Sequence, residues 1–507
     1  LHDALPIYTA NFRNDFTLSK KLKTGFQLIG SLRTQRAPGT LSRQDNAVTG
    51  TYDRDFDINP FSYALNTSRA LTCFDENGDL EYFTRNYAPF NIINEVNNNY
   101  ITLNVADIKA QFELNWEIFK GLNYEFTGAM RYVKSDREHQ IKEKSNMAEA
   151  YRADYNSTIR NANNFLYKDP DDPEGEPYSV LPYGGFYNRD ESMMKSYDVR
   201  NSLRYVGNWG KHDLNVILGQ QIKYADRQSF SNTGYGYQYD EGGSVSVDYR
   251  ILKMMIENNF NYYGMGTVRD RFSAFYFNAD YGFDKRYIAS ATVRYDGTNA
   301  LGTSRTARWL PTWNISAKWN VMNEQFMKDV SWVDQLSLRG SFGLTASMNS
   351  RASASAKFYN ENATRFYSSD IESVISLSSL ENTELTWEKG YLTNVGIDLG
   401  LFNRRLDVIV DCWWRKSFDL IATLKTSGVG GILSKLANYA DMDSRGVDVA
   451  LAFTPIRMKN WEWRSNFTMG YNTTKITNSK NLPSIYNLTR ATGGNLEGYP
   501  VNSLFSI

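Results

Sequence analysis

Apolar and aromatic residues recur at every second position over segments of roughly ten residues along this chain. The clearest pair runs Tyr287, Ala289, Ala291, Val293, Tyr295 and then Pro311, Trp313, Ile315, Ala317, Trp319, with Ser290, Thr292, Arg294, Asn314, Ser316 and Lys318 between. Side chains alternate across a strand, so each segment predicts a β-strand with one apolar and one wet face. The segments come as hairpins. Tyr8–Leu18 turns at Lys20–Thr24 into Phe26–Leu32, and Ile108–Trp116 turns at Lys120-Gly121 into Tyr124–Tyr132. Tyr197–Tyr205 turns at Asn208–Lys211 into Leu214–Ile222, and Phe275–Tyr281 turns at Phe283–Arg286 into Tyr287–Tyr295. Pro311–Trp319 precedes Leu336–Phe342, Tyr391–Leu399 turns at Asn403-Arg404 into Leu406–Trp414, and Val447–Phe453 turns before Trp461–Tyr471. The pattern predicts about fourteen strands.

Connection lengths separate two readings of this all-β pattern. Turns within pairs are short, whereas polar stretches of about 37–103, 134–195 and up to 269 separate the pairs, beyond the ~12–15 residues usual for a loop in a compact domain. An antiparallel transmembrane β-barrel has this asymmetry, with short periplasmic turns on one rim and long extracellular loops on the other. Segments near ten residues also suit the ~9–11 residues of a tilted membrane-crossing strand. The rival reading is an all-β surface protein that binds carbohydrate or adheres through its loops without forming a barrel.

Composition fits the barrel. The 507 residues are 41% hydrophobic and 14% aromatic, with a mean hydropathy of −0.52. No apolar run approaches the ~20 residues of a membrane helix, but barrel strands escape that test because half of each faces a polar lumen. Interfacial aromatic girdles would account for 34 Tyr, 28 Phe and 11 Trp. Lys+Arg and Asp+Glu are equal at 56 each, which gives no basis for a nucleic-acid partner. The two cysteines, Cys73 and Cys412, are far apart, and Cys412 falls on the apolar side of a strand as a small hydrophobe. Residues 1–7 (LHDALPI) stand outside the strand pattern and read as a non-native or disordered lead. Residues 8–507 read as part of one barrel domain, cut at both ends.

Little in the chain suggests catalysis. The three histidines, His2, His139 and His212, fall in the lead, a loop and a turn, and none stands at metal-ligand spacing. No GxSxG nucleophile elbow occurs. An outer-membrane enzyme would need a nucleophile with a base at the rim or lumen. The acidic stretches Asp75–Asp79 and Asp169–Glu176 offer hard oxygens but place Leu80 and Glu174 where a calcium loop needs Gly; they read as a turn and a solvated loop. Gly428-Val429-Gly430-Gly431 lacks the Lys and helix of a phosphate cradle and reads as a loop tip. No metal or cofactor is expected. Tyr235, Tyr237 and Tyr239, in GYGYQYD, are the ligand-contact candidates, since tyrosines present flat faces and hydroxyls to sugar rings.

Arg294-Tyr295-Asp296-Gly297, followed by Gly302 and Arg308-Trp309-Leu310-Pro311-Thr312-Trp313, resembles the SusC/RagA family of TonB-dependent outer-membrane transporters. The likeness continues in Asn323-Glu324-Gln325-Phe326, Leu336–Gly343, Leu385–Lys389, Asn394–Asp398, Asn403–Leu406, Ser444–Asp448 and Gly498–Val501. The resemblance implies a barrel of 22 strands with an N-terminal plug, of which this chain holds about fourteen strands and no plug or TonB box. It also implies a SusD-like surface lipoprotein as partner, TonB as energy donor, and uptake of oligosaccharides or peptides across the outer membrane. Within these motifs Asp296-Gly297 reads as a turn at a strand end, and Trp309 and Trp313 as girdle residues.

Overall fold

The alternating segments form one antiparallel meander. The computed structural model describes residues 6–39, 44–46, 51–53, 58–169, 171–245, 247–257, 260–300, 308–348, 355–365, 371–428 and 431–506. Fourteen strands follow in chain order, each hydrogen-bonded to its sequence neighbours. They are β1 (Ile7–Ser19), β2 (Leu22–Pro38), β3 (Asn99–Phe119), β4 (Leu122–Ile141), β5 (Gly185–Trp209), β6 (His212–Gln238) and β7 (Tyr263–Phe283). Then come β8 (Tyr287–Thr298), β9 (Trp309–Asn320), β10 (Val333–Ser347), β11 (Glu388–Leu401), β12 (Leu406–Lys425), β13 (Ser434–Met458) and β14 (Trp461–Asn478). The first strand begins at Ile7, paired with Arg33; residues 1–5 of the suspected lead lie outside the described residues.

Register carries the apolar positions into continuous rows. One row runs Leu22, Trp116, Tyr124, Leu203, Leu218, Phe277, Val293, Trp313 and Leu344, from β2 to β10. A second runs Leu338, Ile397, Val410, Val449 and Met469 across β10 to β14. None of these side chains is buried, and several are largely uncovered: Leu218 is 55% exposed and Val293 46%. An uncovered apolar wall on every strand requires a hydrocarbon solvent, so this face meets lipid.

Short turns close the lower rim. Lys120-Gly121 joins β3 to β4, with Gly121 at φ +91, and a Cβ there would stand 2.4 Å from the Val206 carbonyl oxygen. Only glycine combines that torsion with that approach. The longer connection at 321–332 is anchored by Glu324, which accepts from Arg286 at 3.1 Å, the Tyr287 hydroxyl at 2.7 Å and Trp319 Nε1 at 3.1 Å.

Several strands are far longer than ten residues: β5 has 25 and β6 has 27, against 12 each in β8 and β9. The period-two apolar signal marks only the lipid band. On β4 the outward face reads Leu122, Tyr124, Phe126, Gly128, Met130, Tyr132 and then Lys134, Asp136, Glu138. Above Tyr132 that face carries ion pairs, Lys134–Glu191 at 3.3 Å, Arg189–Asp136 at 3.4 Å and Arg269–Asp226 at 3.1 Å. The ladder continues into water after the alternation stops, so the expected loops at 37–103 and 134–195 shrink to 39–98 and 142–184. Asp296 and Gly297 are likewise strand rather than turn, in register with Leu310 and Trp309.

Val293 and Thr292 are adjacent but face opposite solvents, Thr292 accepting from Asn278 at 2.9 Å on the inner side. Val293→Lys is expected to cost ~2–4 kcal/mol of membrane stability, read as lost barrel assembly by heat-modifiable gel migration. Thr292→Lys should assemble at wild-type yield; equal losses for the two would reverse the facing.

Candidate functional site

The inner face is polar and its charges are matched. Arg339 donates through Nε to Asp398 at 3.0 Å and through Nη2 to Asp411 at 2.9 Å, with Lys318 3.6 Å from Asp398. Four strands contribute to this cluster, β9 to β12, and Gly396 leaves its space, since a Cβ there would lie 2.5 Å from Asp411 Oδ1. Nearby, Arg294 bonds Asp296 at 2.6 Å and Gln221 at 3.4 Å, while Gln221 and Lys223 engage Asp198. Farther round, Arg131 donates to Asp107 at 2.9 Å and Ser202 meets the Tyr276 hydroxyl at 2.7 Å. Charges of both signs, many held in pairs, line a wet wall that has no strong bias for either sign of solute. Sequence reading missed these groups because most partners lie tens of residues apart and meet only through register.

Above the wall, the long connections fold. Residues 58–98, 142–184 and 239–257 share a core in which Ala148, Ala150, Tyr151, Val180, Leu181, Phe186 and Ile251 are buried against the strand ends. Polar ties join them. Asn146 donates its side-chain amide to the carbonyls of Arg85 at 2.7 Å and Pro89 at 3.0 Å, and its backbone N–H to Glu95 Oε1 at 2.8 Å. Arg152 ties the Gly184 carbonyl at 2.8 Å and the Glu143 carbonyl at 2.6 Å. Glu95 lies 1% exposed in the helix Ile92–Asn98, and burial pushes its carboxyl up to about 7.

The three candidate tyrosines sit where β6 enters this cap. Tyr235 is buried edge-on to Phe186 at 5.9 Å. Tyr237 stacks on Tyr187 at 5.1 Å and 22° and meets Tyr239 edge-on at 4.7 Å. The Tyr239 hydroxyl donates to the Phe186 carbonyl at 2.6 Å, and burial holds its phenol above the usual range. The structure thus brings the three together and uses Tyr235 and Tyr239 to fasten the cap.

Other sequence candidates resolve locally. His139 belongs to β4 rather than a loop and is buried, its Nε2 2.7 Å from Asn99 Oδ1. Asp75 accepts from the N–H groups of Asn77 and Asp79 at 2.9 Å, the turn its sequence suggests. Asp171 and Asp172 are exposed beside a turn closed by Gly175 N–H to Asp172 at 3.0 Å. Val429 and Gly430 lie outside the described residues. Both cysteines are free.

A further hollow was not foreseen. Residues 479–502 fold back over the upper ends of β12 to β14, enclosing a cleft of about 630 Å³ lined by Thr423, Tyr439, Asn481, Asn487, Arg490 and Asn495 among others. Asn481 secures it, donating to the Thr423 carbonyl and the Tyr439 hydroxyl.

A family described as TonB dependent receptor-like, beta-barrel, matches residues 135–504. The chain belongs to that family. The receptor is 27% identical over 295 residues to TonB-dependent receptor P39 of Formosa agariphila, covering 58% of this chain and 27% of that protein. It is 24% identical over 308 residues to TonB-dependent receptor SusC of Bacteroides thetaiotaomicron, covering 59% and 29%. Its fold matches a chain of the RagAB peptide transporter with a TM-score of 0.75 at 19% identity, covering 99% of this chain and 50% of that one. These alignments thus span half or less of the proteins matched. The receptor is an outer-membrane β-barrel protein of the TonB-dependent receptor family.

The buried Glu95 makes the cap sensitive to pH. Its folded value near 7 lies above the ordinary 4.5, so the folded cap holds the proton more tightly than the unfolded chain. Stability from this group is present below pH 4.5 and is lost as pH rises to about 7, by roughly 3 kcal/mol. Hydrogen exchange of the 142–152 amides, corrected for intrinsic rate, should show falling protection from pH 5 to pH 8, and Glu95→Gln should flatten that trend.

Proposed function

We propose that the receptor takes part in TonB-dependent uptake of oligosaccharides across the outer membrane, in complex with a SusD-like surface lipoprotein. The charge-matched polar inner wall supports this most directly: it wets a path for a large neutral solute and sets no strong field against or for a charged one. The likeness to SusC favours the same transport class and partner. The fold likeness to RagAB, a peptide transporter by name, makes oligopeptide the alternative cargo.

The folded cap places aromatic and amide groups at the mouth of that path. Among the tyrosines, Tyr237 is the one we assign to substrate, because Tyr235 is buried and Tyr239 is tied to the Phe186 carbonyl. A sugar ring would extend the existing Tyr187–Tyr237 stack.

In cells carrying the whole receptor, uptake of a fluorescently labelled oligosaccharide panel should require both the receptor and TonB, and should stop on collapse of the proton gradient. Uptake of oligopeptides alone would transfer the assignment to peptide; receptor-dependent surface binding without uptake would return it to a surface-binding protein. Tyr237→Ala is expected to weaken oligosaccharide binding about tenfold, the scale of one aromatic contact, with the cap's protease resistance kept.

A further inference from the structure

The lipid face is interrupted beside Tyr197 and Tyr224. Tyr197 and Tyr224 oppose each other across β5 and β6 with rings stacked at 5.2 Å and 19°. They stand as a ridge between two hollows. One, of about 390 Å³, includes Ile108, Met130, Tyr132 and Lys195 in its lining. The other, of about 550 Å³, runs toward Ile222, Arg271, Gly297 and Trp309. Its far side is shaped by Gly297, where a Cβ would lie 2.7 Å from the Trp309 ring; the indole therefore lies against the backbone and stacks on Tyr295 at 5.0 Å.

Arg131 and Lys195 are among the lining residues of the first hollow, and Lys223, Arg271 and Arg308 of the second; Arg131 is held by Asp107 and Lys223 by Asp198, and Arg308 is engaged elsewhere. Lys195 stands in register with Tyr132 and Asp226, and Arg271 with Tyr224. This is the level at which the outward face changes from apolar to charged, so both cations lie where lipid headgroups begin. Lys195 and Arg271 are exposed and have no ion-pair partner among the described residues. The acids near them are taken: Asp226 accepts from Arg269 at 3.1 Å and Gln228 at 3.2 Å, while Asp136 and Glu191 serve Lys134 and Arg189. From strand spacing and rise, the two cation backbones are roughly 12 Å apart, a gap that their long side chains close around one anion.

We propose that this patch binds a phosphate-bearing lipid of the outer leaflet, with acyl chains in the two hollows and its phosphate between Lys195 and Arg271. Aromatic walls give the chains dispersion contact, and the two cations gain a partner in a region where ionic attraction is less screened than in bulk water. A neutral lipid would fill the hollows and leave both charges unpaired. Free phosphate would lack the chains.

The test is native mass spectrometry of the intact, delipidated receptor titrated with dioleoyl phosphatidic acid and with dioleoylglycerol, which carries the same chains without the phosphate. Phosphatidic acid should be retained about tenfold better. Lys195→Gln/Arg271→Gln should abolish the preference, each single substitution should lower it about threefold, and Lys134→Gln should leave it intact. Heat-modifiable migration checks that the variants assemble; if the double variant does not, the singles decide. Equal retention of the two lipids, a preference that survives the substitutions, or displacement by millimolar inorganic phosphate would overturn the proposal.

Discussion

Every peptide group that crosses hydrocarbon must find its hydrogen-bond partner within the protein, because the bilayer core offers none and each omission costs several kcal/mol. The meander answers that demand strand by strand, each interior strand hydrogen-bonded to the strands before and after it in sequence. Sequence-adjacent pairing keeps the lower turns short, as at Lys120-Gly121 and Lys459-Asn460. The constraint also applies at the margins of the sheet. In the path of fourteen strands, β1 and β14 each have one neighbouring strand, and toward the top of β14 Gly498 and Tyr499 bond the outer side of Ile476 at 2.9 and 3.0 Å. Within lipid, the remaining edge groups of β1 and β14 require further strands.

The same constraint explains what the sequence made legible. An outward side chain in the band has no protein neighbour to bury it, so its polarity reports lipid directly, and Leu214, Val216 and Leu218 reveal their strand without knowledge of the fold. Above the band that report stops. Lys134, Asp136 and Glu138 continue β4 beyond the lipid, and their alternation carries no polarity signal even though the ladder persists to Ile141. Hence the strands were visible for about half their length, and His139 read as a loop residue while sitting buried in a strand. Asp296-Gly297 misled for a related reason: the pair favours turns locally, but here Gly297 makes room for Trp309 and Asp296 supplies a partner for Arg294.

The inner wall was illegible for a different cause. Arg339, Asp398 and Asp411 lie on three strands, and nothing in their local sequence says that they meet. Register brings them together, and register follows from the lipid-facing rows: sliding one strand by a single residue would turn its apolar positions toward water. Lipid thus sets the electrostatics of a surface it never touches. The tyrosines fall between these cases. Their clustering was plain in GYGYQYD, but which ring is structural depends on Phe186 and Tyr187 from the neighbouring strand.

Two solvents also divide the molecule into parts held by different forces. Among the described residues the band has no buried hydrophobic core of its own, since its apolar side chains gain nothing by leaving lipid for protein; ladder bonds and paired lumen charges hold it. The cap stands in water and is stabilised by burial, with Phe186, Leu181 and Ile251 inside. Asn146 reaches three backbone carbonyls across that cap, at Arg85, Ala88 and Pro89, and so binds one long connection to another. Energy is therefore separable between the two parts. A cap that opens exposes its own core and frees Glu95 to ionise, while the ladder beneath it keeps every bond. Such independence lets the rim rearrange without putting the membrane-spanning sheet at risk.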